Sequence, residues 1–322
     1  MSRPSVVDLF AGAGLFSHAF VAEGFEIVQA VENDPFAAES YRMNLGDAVN
    51  AVDIVDATPA ESCDVLIAGP PCQGFSTLGK RDPEDARNRL SLELLRWVDA
   101  TDPRVVVVEN VAAFLESQAC RSLVEALRHR AYDVRSVVLD ALDFGVPQRR
   151  KRAFVSGVRG GRSFLARPVA AGHANPGEAW CGLPADPDGR NLHVAPSPGG
   201  LALSRMRVLP YGGDKRDILR LAPELAAPSW FRHPDAVTDV WGRMRWEVPT
   251  NTLRTCFQNA SKGRYIHPEQ HRVLTVREGA RLQTIPDSWT FAGPRTRIVR
   301  QIGNAVPPLL GRAIARGIRP LF

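Results

Sequence analysis

Cys72 stands in the run Gly69-Pro-Pro-Cys-Gln-Gly-Phe-Ser76. A lone cysteine is more often a small buried hydrophobe than a reagent. Prolines, glycines, a glutamine and a serine around it make burial in an apolar core a poor reading. A loop thiol becomes a nucleophile when neighbouring cations favour its thiolate. Such cations are available in Gln148-Arg-Arg-Lys-Arg152, a run that would otherwise be a solvated basic patch. Glu109, in Glu109-Asn-Val111, follows the apolar run Val105–Val108 and supplies a carboxylate whose ordinary role is a charge near a helix start. Asp8-Leu-Phe-Ala-Gly-Ala-Gly14 carries Gly12 and Gly14, which let the backbone approach a ligand closely. The third glycine of a dinucleotide fingerprint is missing and no pyrophosphate site is evident. Glu32, in Glu-Asn-Asp-Pro35, is placed to accept hydrogen bonds from two ribose hydroxyls, so the first half is expected to bind a nucleoside-bearing cofactor.

These groups need a scaffold that brings them to one edge. Val6–Phe10, Ile27–Glu32, Val65–Ala68, Val105–Val108 and Val134–Leu139 read as strands. Between them lie helical stretches from about Ser17, over Ser91–Ala100 and over Cys120–Arg130. Strand–helix alternation predicts an α/β fold with a doubly wound, mostly parallel sheet. Ligands bind such sheets at the carboxyl ends of their strands, where the residues above fall. From about Gly160 to Pro268, Gly, Pro and Arg become frequent and periodicity fades, which predicts a smaller, loop-rich domain. Thr275–Gln283 follows as a helix capped by Thr275 with Glu278 at its third position, and Pro307–Ile318 as a last helix.

The formal net charge of +5 conceals an asymmetry. Residues 1–144 hold 12 Lys+Arg against 23 Asp+Glu, and residues 145–322 hold 28 against 12. A basic half beside an acidic one is the footprint of a part that grips a polyanion, here a nucleic acid. At 322 residues the chain exceeds what one hydrophobic core supports and predicts two domains. No apolar stretch nears the roughly 20 residues of a membrane helix, and the start has no secretory pattern, so a cytoplasmic protein is expected. Five cysteines (Cys63, Cys72, Cys120, Cys181, Cys256), never spaced as CxxC, fit a reducing compartment without a zinc cluster. His267 and His271 have a metal-ligand spacing, but no HExxH glutamate accompanies them, and no metal is expected.

The run around Cys72 resembles the nucleophile motif of DNA (cytosine-5)-methyltransferases of the bacterial restriction-modification type, and the family's other motifs follow in its order. Phe10-Ala-Gly-Ala-Gly14 is similar to the cofactor loop, Glu32 to the ribose ligand and Asp53-Ile54 to the pair that reads adenine. Glu109-Asn-Val111 matches the ENV motif, and Gln148, Arg150 and Arg152 match QxRxR. Asp85–Leu90 resembles the far end of a mobile catalytic loop, Arg272–Gln283 the helix supporting the recognition domain, and Gln301–Pro308 the last motif. Leu15 departs from the family, which usually carries a second consecutive glycine there.

The resemblance implies the S-adenosylmethionine-dependent fold, with a catalytic and cofactor-binding domain over 1–160 plus 300–322. A target-recognition domain over 161–270 and a hinge with supporting helix over 271–299 complete it. It implies S-adenosylmethionine as donor and S-adenosylhomocysteine as product, held by Phe10, Gly12, Gly14, Glu32, Asn33, Asp53, Ile54, Pro70, Asn304 and Val306. Cys72 would add to carbon 6 of a flipped-out cytosine. Protonated Glu109 would donate at N3, Arg152 at O2, and Arg150 would help keep Cys72 ionised. Ser76, Arg87, Thr252, Lys262 and Arg264 are the expected DNA contacts, and the loop from Gln73 to Arg89 the expected lid. The implied partners are double-stranded DNA and a cognate restriction endonuclease, the chain acting as a monomer. Two alternatives are a tRNA cytosine-5 methyltransferase and an inactive DNA-binding regulator. The first typically shows Cys-Phe-Thr followed by tyrosines, whereas Cys256-Phe257 is followed here by Gln258; intact Cys72, Glu109 and Arg152 weigh against the second.

Overall fold

The computed structural model describes residues 2–71, 86–162 and 174–322, the side chains of 86–92 excepted. Seven strands form one sheet: β1 Ser5–Leu9, β2 Glu26–Val31, β3 Val49–Asn50, β4 Val65–Ala68, β5 Val105–Val111, β6 Tyr132–Asp140 and β7 Lys151–Arg159, in the order β3-β2-β1-β4-β5-β7-β6. The pairs from β3 to β5 are parallel, and β7 is inserted antiparallel between β5 and β6. Strands covered on both faces read as unbroken apolar runs, and Val105–Val108 are buried throughout.

Helices α1 Leu15–Ala22, α2 Pro35–Leu45, α3 Ala86–Thr101 and α4 Gln118–His129 alternate with the strands. One face of the sheet packs Leu66 and Val106 on Leu94, Trp97, Leu123 and Leu127 of α3 and α4. The other packs Ile67, Val107 and Phe154 on Phe16 and Phe20 of α1 and on Leu310 and Ile314 of α11 Pro308–Ile318. The doubly wound, mostly parallel sheet expected from the alternation is therefore present. Two strands escaped the sequence reading. β3 is too short to show a pattern, and β7 begins inside the basic run 149–152, where charge hides the period.

Beyond β7 the helices are α5 Pro176–Ala179, α6 Gly200–Val208, α7 Lys215–Leu221, α8 Pro228–Arg232, α9 Val276–Leu282 and α10 Arg295–Asn304. Met206, Leu209, Ile218, Trp241, Ile266 and Val273 form a small apolar cluster of this region. A larger cluster joins it to the sheet unit, gathering Leu15 at the start of α1 with Leu253, Phe257, Leu274, Trp289 and Ile302. Leu15, where the family usually carries glycine, therefore fills core. Hydrogen bonds replace periodic burial in much of the rest. Arg243, 2% exposed, donates to the carbonyls of Met206, Leu209, His267 and Gln270. As expected, Thr275 caps α9 in a capping box with Glu278, whose carboxylate also takes both Nη groups of Arg272 at 2.8 and 2.7 Å. Among the described residues no helix is long and apolar enough to cross a membrane.

Candidate active site

The turn after β1 is built by three left-handed residues: Phe10 (φ 60°), Gly12 (φ 56°) and Gly14 (φ 86°). A Cβ on Gly14 would fall 2.8 Å from both Leu45 Cδ1 and Tyr41 Cδ2, so α2 leaves no room for a side chain there. At Gly12 a Cβ would meet nothing within 4 Å, which leaves the backbone open toward a ligand. Glu32, just past β2, accepts from the Gly12 amide at 2.8 Å through one oxygen and from the Asp34 amide at 2.7 Å through the other. Each oxygen keeps a lone pair for a hydroxyl partner. Burial raises the proton affinity of Glu32 above that of an ordinary carboxylate, and these amides oppose the shift.

Asp8, at 1% exposure, lies under this turn. Its carboxylate accepts from Ser17 Oγ at 2.6 Å, and Tyr41 Oη donates to the same hydroxyl at 3.0 Å. Burial, assisted by the charge of Glu32, pushes Asp8 up to about 7. Sequence reasoning missed this chain because its signal, a polar residue inside an apolar strand, is a single position. Among the other expected cofactor contacts, Ile54 is buried, Asp53, Asn33 and Asn304 are exposed, and Val306 is buried in the same apolar cluster as Leu310 and Ile314 of α11. Pro70 is half-buried and its carbonyl accepts from Asn110 Nδ2 at 3.1 Å.

Cys72 and Ser76 lie outside the described residues, as does the lid expected from Gln73 to Arg89 up to residue 85; Arg87 falls in the first turn of α3. The base of that segment is described. A Cβ built on Gly69 would sit 3.8 Å from Glu109 Oε2 and 4.0 Å from the Phe10 carbonyl oxygen. The acid, the cofactor turn and the start of the Cys72 segment therefore meet at Gly69. Glu109 lies within β5, which runs on to Val111, and pairs with Arg152 Nε at 3.0 Å. Burial raises the Glu109 carboxyl above its ordinary range, and the charges of Arg152 and Arg150 pull it back.

The run 148–152 is not a solvated patch. Arg149 and Lys151 face out, while Gln148, Arg150 and Arg152 point inward with period two. Arg150 is 1% exposed and its guanidinium donates to the carbonyls of Leu253, Gly303 and Ala305 at 3.1, 2.9 and 3.0 Å. Burial and the neighbouring Arg152 lower its proton affinity.

The expected DNA contacts separate. Lys262 is exposed, and Thr252, half-buried, donates through Oγ1 to the Arg149 carbonyl at 2.8 Å. Arg264 is turned inward: Nη1 donates to the carbonyls of Gly212, Gly213 and Arg243, and Nη2 reaches Asp214 at 3.3 Å. Its guanidinium holds two loops together. His267 stacks on Trp180 and accepts from the Glu269 and Gln270 amides, burial lowering it to about 4; among the described residues no group of three metal-ligating side chains is present.

A buried acid–arginine pair thus lies beside a glycine turn at the carboxyl edge of the β3-β2-β1-β4-β5-β7-β6 sheet, the edge at which doubly wound sheets bind their ligands. The family model described as C-5 cytosine-specific DNA methylase matches residues 5–176 and 224–319. Type II methyltransferase M1.HphI of Haemophilus parahaemolyticus is 33% identical over 97% of this chain and 86% of its own length. Type II methyltransferase M.NgoFVII of Neisseria gonorrhoeae is 33% identical over 100% of this chain and 88% of its own. Among solved structures, the Entamoeba histolytica methyltransferase EhMeth superposes with a TM-score of 0.70 at 13% identity, each chain covered over 100%. S. pombe Dnmt2 methyltransferase does so with 0.65 at 20%, over 99% of each. The chain belongs to the C-5 cytosine-specific DNA methylase family and is an enzyme, a DNA cytosine-5 methyltransferase.

Proposed function

We propose that this enzyme moves the methyl group of S-adenosylmethionine to carbon 5 of a flipped-out cytosine in duplex DNA, within a specific sequence, through a covalent bond to Cys72. The observation that carries the reading is the Glu109–Arg152 pair, buried at Gly69 between the cofactor turn and the start of the Cys72 segment. The residues fit the donor. The open backbone at Gly12 and the lone pairs of Glu32 suit a ribose, and we assign Phe10, Gly14, Asn33, Asp53, Ile54, Pro70, Asn304 and Val306 to the rest of the cofactor. When bound there, the cofactor supplies an electrophilic methyl and leaves as S-adenosylhomocysteine.

Carbon 5 of cytosine is a poor nucleophile. The Cys72 thiolate forms a bond to carbon 6, and the ring's electrons move to carbon 5, which becomes able to attack the methyl. Negative charge grows through N3 and O2, where protonated Glu109 donates at N3 and Arg152 at O2. The carbon-5 proton then leaves to water, the Cys72 bond breaks, and aromaticity and thiolate are restored together. Unpairing the base costs a few kcal/mol, which contacts from the basic half offset. The division into a catalytic domain over 1–160 plus 300–322, a recognition domain over 161–270 and a hinge over 271–299 belongs to the same reading. The Type II names of the relatives support a restriction endonuclease sharing the target sequence, and a monomer in the cytoplasm belongs to the same reading.

The test is transfer of labelled methyl from S-adenosylmethionine to unmethylated duplex DNA and to tRNA, with Cys72→Ala in parallel. Label in 5-methylcytosine of DNA, absent with the variant, is expected. Label in tRNA alone would move the enzyme to RNA, and no label in either would leave a binding protein.

A further inference from the structure

The backbone at Leu253 is held from two sides. Gln148, fully buried, accepts from the Leu253 amide at 2.9 Å and donates to Gln283 Oε1 at 3.0 Å and to the Leu282 carbonyl at 3.3 Å. Two residues on, Arg150 binds the Leu253 carbonyl at 3.1 Å, so both peptide groups of Leu253 are taken by one face of the run leading into β7. From the opposite side Tyr265, 2% exposed, bridges the neighbours: its hydroxyl donates to the Thr252 carbonyl at 3.0 Å and accepts from the Arg254 amide at 3.2 Å. The next residues lie directly on α10. A Cβ on Gly303 would fall 2.6 Å from Thr255 Cα and 2.7 Å from the Arg254 carbonyl carbon. Arg152, which pairs with Glu109, is the third member of the same face.

We infer that Gln148 and Tyr265 are positioning residues that lock the segment Thr252–Thr255 to the arginine row, so that how the basic half is seated is felt at Glu109. The inference rests on the proposed function for its meaning, because Thr252 lies where DNA is expected to be read. Packed elements with two discrete arrangements carry such coupling, and a misplacement of about 1 Å at a reacting group can cost on the order of 100-fold in rate. Of the described charged groups, Arg152 and Arg150 of the β7 run act on Glu109. Loosening the row weakens their pull and raises the carboxyl's proton affinity.

The test follows the Glu109 carboxyl directly, by carbon-13 NMR of glutamate-labelled protein, with Glu109→Gln assigning the resonance. Gln148→Met and Tyr265→Phe, altered on opposite sides of Leu253, are each expected to move its midpoint upward by about one unit. Each is also expected to lower kcat by about tenfold while KM for the cofactor holds. Tyr265→Phe keeps the ring and its packing, which guards against a result from misfolding. A midpoint that stays or falls in Tyr265→Phe, or a loss confined to thermal stability, overturns the inference. Absence of methyl transfer by the unaltered enzyme would overturn the proposed function and leave the NMR result standing.

Discussion

At the scale of residues, two buried carboxyls set the pH behaviour. The Glu109 carboxyl is raised by burial, and the proposed role needs its proton. Single-turnover transfer is therefore expected to fall as pH rises through that raised value. Glu109→Gln keeps an N–H donor without a titrating proton, and should lose this alkaline limb while running about 100-fold slower. Asp8 gives a separate prediction, read in stability. Its folded value of about 7 lies above the unfolded 3.8, so the folded state holds the proton more tightly. Stability from this group is complete below about pH 4, falls as pH rises to 7 by as much as about 4 kcal/mol, and is flat beyond. Asp8→Asn keeps the acceptor for Ser17 and should flatten that slope in urea unfolding across pH 4–7; an unchanged slope would show that Asp8 does not titrate there.

At the scale of elements, the legible parts are those where burial has a period or a cap. The central parallel strands β1, β4 and β5 announce themselves as apolar runs, and the α9 capping box is written in Thr275 and Glu278. β7 was hidden because the run 149–152 that leads into it alternates outward cations with inward arginines, and charge alone does not say which face is wet. The site divides in the same way: Glu109 and Arg152 were each picked out by their motifs, whereas their pairing and the claim of three carbonyls on Arg150, from residues about 100 and 150 positions away, needed the fold. Arg264 was read as a DNA contact from its type and neighbours, but its guanidinium is committed to three carbonyls and Asp214. Arg264→Ala is therefore expected to destabilise the fold by about 2 kcal/mol, measured as a lower urea midpoint. Exposed Lys262→Ala should leave the midpoint alone and reduce the salt dependence of DNA binding by about one counterion. Interchanged outcomes would mean that Arg264 turns outward on the duplex.

At the scale of the whole molecule, the acidic sheet unit and the basic half divide the work. The sheet brings the glycine turn after β1, Glu109 and Gly69 together at one edge, while the other half carries 28 of the 40 cations. Much of that half's order comes from arginines such as Arg243 and Arg264 binding backbone carbonyls, so part of its positive charge is structural and the exposed remainder is left for phosphates. Loops organised in this way can differ in sequence while the frame stays, because the bonds go to backbone atoms. That is also why composition suggested a role for this half while periodicity revealed little of its shape. The central claim is that Cys72 forms a bond to the cytosine ring. It is tested most directly with a duplex carrying 5-fluorocytosine at the methylated position, since fluorine cannot leave as the carbon-5 proton does and elimination stalls. With S-adenosylmethionine present, a denaturation-stable protein–DNA adduct that peptide mass spectrometry maps to Cys72 is the predicted result. An adduct on another residue, or none on a duplex whose unfluorinated form is methylated, would contradict it.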